Sequence, residues 1–208
     1  VSAINASCGS NGASGMYASA GSSGTTAVFT PNKTGTYLIA AESQHPSYYG
    51  TFTLTVKKYT PPQNAKCSGA QLVKLASGAT TTVTGNTENI PNEFGTAINC
   101  GSYSTYDNLL GSQLYYKVAL TAGTSYTFTF TPNYSYGHLY LFTDTCNYAT
   151  INTDCGSSGS SGFKTPNTGN GSPKSVTFKP TKSGIYKFAV DADRTYSSAA
   201  GQFKVEIK

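Results

Sequence analysis

The chain has 208 residues, of which only 11% are charged, with 16 Tyr, 10 Phe and a formal net charge of +5. That much apolar and aromatic material argues against disorder, and no apolar run approaches the ~18 residues of a membrane-crossing helix. The basic excess is scattered lysine with a single arginine, Arg194, so the forked guanidiniums that suit phosphate are nearly absent and nucleic acid is not an expected partner.

In chain order, the first strand patterns are Ala27–Phe29, Tyr37–Ala41 and Phe52–Val56. The last two alternate cleanly, with Tyr37, Ile39 and Ala41 on one side, then Phe52, Leu54 and Val56. Residues 58–63 contain Pro61 and Pro62 and read as a short, stiff linker. Weaker strands are expected near Gln71–Leu75 and Thr80–Val83. Gln113–Leu120 alternates strongly through Leu114, Tyr116, Val118 and Leu120, and Tyr126, Phe128 and Phe130 follow. His138–Phe142 is apolar on both faces, as an interior strand is. Val176 with Phe178, then Tyr186, Phe188 and Val190, and finally Phe203, Val205 and Ile207 complete the set. The separators are turn residues: Ala122-Gly123, Pro132-Asn133, Gly169-Asn170-Gly171 and Ser183-Gly184. No twelve-residue stretch carries a helical apolar stripe, so the expected fold is all-β, an antiparallel β-sandwich.

The end of the chain repeats its beginning. Ile4–Gly9 matches Ile151–Gly156, Phe29-Thr30-Pro31 matches Phe178-Lys179-Pro180, and Gly50–Lys57 matches Gly201–Lys208. The offset drifts from 147 (155 − 8) through 149 (184 − 35) to 151 (201 − 50), as small loop insertions between fixed strands give. The expected organisation is the second half of one repeat over residues 1–57, the linker 58–63, and a complete repeat over residues 64–208. The Gly/Ser-rich runs 9–24 and 156–171 occupy the same place in both copies and read as long loops.

Cys67, Cys100, Cys146 and Cys155 lie in the complete repeat and imply two disulfides and an oxidising compartment. Four cysteines allow three connectivities, and the expected one joins each cysteine to its neighbour in sequence, Cys67–Cys100 and Cys146–Cys155. Cys8 is the counterpart of Cys155, while the counterpart of Cys146 falls before residue 1. Cys8 is therefore expected to be a free thiol or a link to another chain. With no C-x-x-C spacing and no histidine near a cysteine, zinc is not expected.

The histidines are His45 and His138, and the chain has neither H-E-x-x-H nor G-x-S-x-G. A Ser/His/Asp triad through His138 and Asp144 is conceivable, but His138 sits in a strand that reads as buried, so no catalytic residue is assigned. Asp191 and Asp193 share a strand face and are candidate calcium ligands, with a strand-end turn as the alternative; Asp144 and Asp154 flank the small cysteine loop. Calcium is the one cofactor considered, and the first copy has Glu42 in place of Asp191. Tyr48, Tyr49, Tyr103, Tyr106, Tyr134 and Tyr136 fall in predicted loops and are the candidate ligand-binding aromatics, against the plainer reading that they cover the sandwich. Asn5, Asn32, Asn133 and Asn170 are in glycosylation sequons.

Several motifs in order resemble one family. These are Cys67 with Ala70, Leu72, Leu75 and Gly78; Gln113–Val118; Leu120–Tyr126; Leu139-Tyr140-Leu141; Phe178-Lys179-Pro180; Ser183–Tyr186; and Gly201–Val205. Together they resemble the bacterial pre-peptidase C-terminal domain, and residues 1–57 resemble that family's second half. The resemblance implies a jelly-roll-like β-sandwich appended to secreted proteins, generally non-catalytic, with some members binding calcium, collagen or carbohydrate. The chain departs from the family in having Tyr136-Gly137-His138 where acidic residues commonly precede the Leu-Tyr-Leu strand. Two roles follow as expectations. One is an extracellular module that self-associates or attaches to a surface through neighbouring repeats. The other is a polysaccharide- or collagen-binding accessory domain of a secreted hydrolase. Neither inserts into a membrane.

Overall fold

Alternating side chains become strands only where a neighbouring strand takes up their backbone hydrogen bonds. The computed structural model describes residues 29, 31, 33–43, 45–90, 92–94, 100, 109, 111–156, 160–166, 168, 171–192 and 200–208. The chain divides into two compact units, Val1–Thr60 and Pro61–Lys208.

The second unit begins with two 3-10 turns, Gln63–Ala65 and Cys67–Gly69. Its strands are β1 (Gln71–Val73), β2 (Thr81–Asn86), β3 (Ser112–Leu120), β4 (Tyr126–Pro132) and β5 (Gly137–Thr143), then β6 (Phe163–Lys164), β7 (Lys174–Phe178), β8 (Gly184–Ala192) and β9 (Gln202–Ile207). One helix, α1 (Tyr148–Gly156), lies between β5 and β6. The strands form a five-stranded sheet in the order β1-β3-β8-β5-β6 and a four-stranded sheet in the order β2-β9-β4-β7. The fold is the expected all-β sandwich. It departs from the antiparallel expectation at one place, where β1 runs parallel to β3. The intervening β2 belongs to the opposite sheet, so the chain leaves and re-enters in the same direction.

The principal core lies between the sheets. Across the five-stranded sheet, register aligns Leu114, Val190 and Leu139 in one row and Tyr116, Phe188 and Leu141 in the next. The other sheet contributes Phe128, Phe130, Phe178, Phe203, Val205 and Ile207, all buried. Tyr116 stacks on Phe188 with ring centroids 5.0 Å apart, and Phe128 meets Phe163 edge-on at 5.3 Å. Each such side chain contributes about 1.5–3 kcal/mol by leaving water.

A second apolar cluster lies on the far side of the five-stranded sheet. It joins Tyr115, Tyr140, Phe142 and Ala189 to Cys67, Ala70, Cys100, Leu109, Ile151 and Cys155. These strands are therefore buried on both faces, which is why His138–Phe142 reads as apolar throughout. Helix α1 helps form this cover. Asn147 starts it, accepting the Thr150 N–H on its side chain (3.1 Å) and the Ile151 N–H on its carbonyl (2.9 Å). The region between Cys146 and Cys155 was expected to be a loop and is mostly this helix. The Gly/Ser-rich run that follows holds β6, which pairs with β5 through Tyr140–Lys164 and Leu141–Phe163.

Among the described residues of the first unit no strand forms, so the expected strands Tyr37–Ala41 and Phe52–Val56 are corrected to chain outside any sheet. The expected strand Ala27–Phe29 lies outside the described residues except for Phe29. The physical reason is that a few strands with one apolar face cannot bury that face alone. Ile39 and Phe52 remain 62% and 73% exposed. The local turn nonetheless recurs. Tyr37 donates its hydroxyl to the Lys33 carbonyl at 2.8 Å, and Tyr186 donates to Lys182 at 3.0 Å. Phe29 meets Tyr37 edge-on at 5.1 Å, and Phe178 meets Tyr186 edge-on at 5.5 Å. All three residue pairs share one offset, 149 (186 − 37, 182 − 33, 178 − 29).

Candidate functional site

The chemistry-bearing side chains of the second unit gather on the outer face of the five-stranded sheet, in three rows across β3, β8 and β5. Gln113, Asp191 and His138 form the first, Tyr115, Ala189 and Tyr140 the second, and Lys117, Lys187 and Phe142 the third.

The first row is a buried polar network. Asp191 Oδ1 accepts from the Gly111 N–H (3.1 Å) and from Gln113 Nε2 (3.0 Å). Gln113 Oε1 in turn accepts from the Glu93 N–H (3.2 Å) and the Tyr115 hydroxyl (3.3 Å), and Glu93 Oε2 accepts from the Cys67 N–H (2.7 Å). His138 Nδ1 lies 3.2 Å from the Thr165 carbonyl, an obligate acceptor, so Nδ1 carries the proton. Burial, reinforced by the charges of Glu93 and Asp191, pushes the Tyr115 phenol above its ordinary range and keeps it a neutral donor. The network ties the cover to the sheet by satisfying buried backbone donors. Replacing Asp191 by alanine strips the Gly111 N–H and the Gln113 side-chain amide of their acceptor and is expected to cost about 3 kcal/mol, whereas Asp191→Asn, which keeps an acceptor, costs about 1 kcal/mol. Urea unfolding of the two variants checks the difference.

At the other end of the same face, Lys187 is held in a sheltered position, its side chain 11% exposed. Its ammonium lies 2.9 Å from Asp144 Oδ1 and 3.3 Å from Cys146 Sγ. The four cysteines pair as Cys67–Cys146 and Cys100–Cys155, correcting the expected Cys67–Cys100 and Cys146–Cys155. Neighbours in sequence do not pair because Cys155 sits on a helix that turns it inward, toward Cys100, while Cys146 precedes that helix and faces the first turns of the unit. Asn152 Oδ1 also accepts the Cys100 N–H at 2.9 Å. By repeat equivalence, the cysteine expected opposite Cys8 is the counterpart of Cys100 rather than of Cys146; Cys8 itself lies outside the described residues.

The expected site residues are not brought together. Tyr48 and Tyr49 are exposed in the first unit, beside a turn in which the Tyr48 N–H donates to the His45 carbonyl (2.9 Å). Tyr134 is buried, correcting its assignment as a binding aromatic. Its ring fills space left by Gly137 and Gly201, where a Cβ would come within 2.9 Å and 3.3 Å of it, and its hydroxyl donates to the Asp191 carbonyl at 3.5 Å. Tyr136 is half-buried with a positive φ of 61°. Tyr103, Tyr106 and Asp193 lie outside the described residues. Asp191, the described member of the candidate calcium pair, is buried, and its Oδ1 accepts from N–H donors. The conceivable His138/Asp144 pair is separated by six residues of strand, about 20 Å. Asp154 accepts from the Thr143 N–H (3.1 Å) and hydroxyl, anchoring α1 to the end of β5. Among the described residues no group of three or more His, Cys, Asp or Glu side chains could hold a metal ion.

No protein-family model matches the chain, and no curated protein matches it. Among solved structures, the chain is similar to the pre-peptidase C-terminal domain of the collagenase from Bacillus anthracis. That match has 14% identity and a TM-score of 0.37, covering 73% of this chain and all of that one. It is also similar to CorA, a surface-associated copper-binding protein of Methylomicrobium album BG8. There the identity is 11% and the TM-score 0.36, with 67% of this chain and 98% of that one covered.

Proposed function

We propose that the chain is a non-catalytic extracellular β-sandwich module that self-associates, or attaches to a surface, by pairing strands with neighbouring repeats. Residues 1–57 act as the second half of a repeat, 58–63 as a linker, and 64–208 as a complete repeat. One observation carries the reading. The same tyrosine turn forms in both copies, yet the tracts that follow it are buried strands in one and exposed in the other. The counterparts of residues 37–41 and 52–56 are β8 and β9, each flanked by strands on both sides. The exposed tracts therefore require two strands each to reach the same state. Two disulfides support an oxidising, extracellular location.

Light scattering of the full chain across concentration tests this. Assemblies should grow with concentration and be lost in the double variant Ile39→Lys/Leu54→Lys. A chain that stays monomeric at every concentration, or a double variant that assembles as well, contradicts it.

A second reading, an accessory domain that binds polysaccharide or collagen, is favoured by Tyr48 and Tyr49, the latter 94% exposed. Retardation in polysaccharide gels and collagen pull-down, each lost on Tyr48→Ala/Tyr49→Ala, would support it; unretarded migration and no capture would remove it.

A further inference from the structure

The geometry points to Cys67–Cys146 as a thiol-exchange site, attacked at Cys146 by an external thiolate and promoted by Lys187. The inference stands apart from self-association.

The four half-cystines are not equally reachable. Cys67, Cys100 and Cys155 are buried, whereas Cys146 occupies an exposed position before α1. A nucleophile that enters from solvent therefore meets Cys146. Exchange proceeds through a transition state whose negative charge is spread over the attacking, central and departing sulfurs. The Lys187 ammonium, 3.3 Å from the Cys146 sulfur, lies where that charge develops. Being 11% exposed, it is less screened by water than a surface lysine. Lys117 is its direct cross-strand neighbour and adds positive charge to the row. Asp144, bonded to the same ammonium at 2.9 Å, opposes both and tempers the site. Cys100 and Cys155 are both buried, in contrast to the exposed residue Cys146 with its Lys187 contact. They are packed with Leu109, Tyr115, Tyr140 and Ile151.

The step balances as follows. The thiolate forms a bond to Cys146 Sγ as the Cys67–Cys146 bond breaks, and the electron pair leaves on Cys67 Sγ, which takes a proton from solvent. A second thiolate then attacks the external sulfur of the mixed disulfide and releases the Cys146 thiolate beside Lys187. One cystine is reduced and two small thiols are oxidised to their disulfide. Stopped after the first step, Cys146 carries the external thiol as a covalent adduct.

The test treats the full, oxidised chain with reduced glutathione at pH 8, quenches with acid, alkylates and maps the peptides. The expected adduct is on Cys146, with Cys67–Cys146 opening about tenfold faster than Cys100–Cys155. Lys187→Met should slow that opening about fivefold relative to Cys100–Cys155, and Asp144→Asn should speed it. Lys204→Met, a lysine change on β9, should leave the ratio alone. Should Lys187→Met fail to fold, the unaltered chain still decides the matter. Mercaptoethanesulfonate, an anionic thiol, should open the bond faster than cationic cysteamine once each is normalised to its rate on a small disulfide. Adducts on another cysteine, equal rates for the two bonds, an unchanged Lys187→Met, or a preference for cysteamine would overturn the proposal.

Discussion

Replacing Phe188 by alanine is expected to lower the unfolding free energy by about 3–5 kcal/mol, the range for deleting a fully buried phenylalanine. The reason is position. β8 is the middle strand of the five-stranded sheet, and Phe188 points from it into the main core. It stacks on Tyr116 at 5.0 Å and meets Phe128 of the opposite sheet at 6.2 Å. Its loss leaves a hole between two sheets that register holds apart, so little collapse can relieve it. The matching change in the first unit, Ile39→Ala, should cost almost nothing in the dissociated chain, because that side chain is mostly in water. Urea unfolding at low protein concentration measures both. Equal losses for the two variants would contradict the assignment of buried and exposed copies.

Removing Cys100–Cys155 by paired alanines should cost up to about 4 kcal/mol, since the bond closes a span of 55 residues. The loss should not fall evenly. The disulfide lies in the outer cluster, so amides of α1 should exchange faster before those of β4 and β9, whose side chains line the inner core. Hydrogen exchange by mass spectrometry reads this directly. A uniform loss of protection across both sheets would show that the cover and the sandwich are one cooperative unit. Peptide mapping of the oxidised chain should recover Cys67 joined to Cys146, and a Cys67–Cys100 peptide would refute that connectivity.

Much of the sandwich was readable because alternation is a local signal. Leu114, Tyr116, Val118 and Leu120 mark β3, and Phe203, Val205 and Ile207 mark β9, whatever surrounds them. The outer cover was not readable. Ile151, Asp154 and Cys155 are the only buried residues of α1, too few for a helical stripe, although Asn147 before it and Gly156 at its end were available as boundary signals. The disulfide pairing needed the helix direction first. The row Gln113–Asp191–His138 was equally hidden, because it depends on the register between three strands far apart in sequence. The burial of His138 followed from its strand, but that of Tyr134 did not, since it depends on the space left at Gly137 and Gly201. Among the described residues of the first unit the alternation is present and no strand forms, because alternation states what a strand would bury and not whether a neighbouring strand pairs with it.

The proposed function rests on residues 37–41 and 52–56 pairing with neighbouring repeats. The most direct measurement is hydrogen exchange at residues 37–41 and 52–56 in the full chain, at low and at high concentration. Strand pairing with neighbouring repeats predicts fast exchange in dilute solution and strong protection of both tracts on assembly. Exchange that stays fast in both tracts after assembly would contradict it.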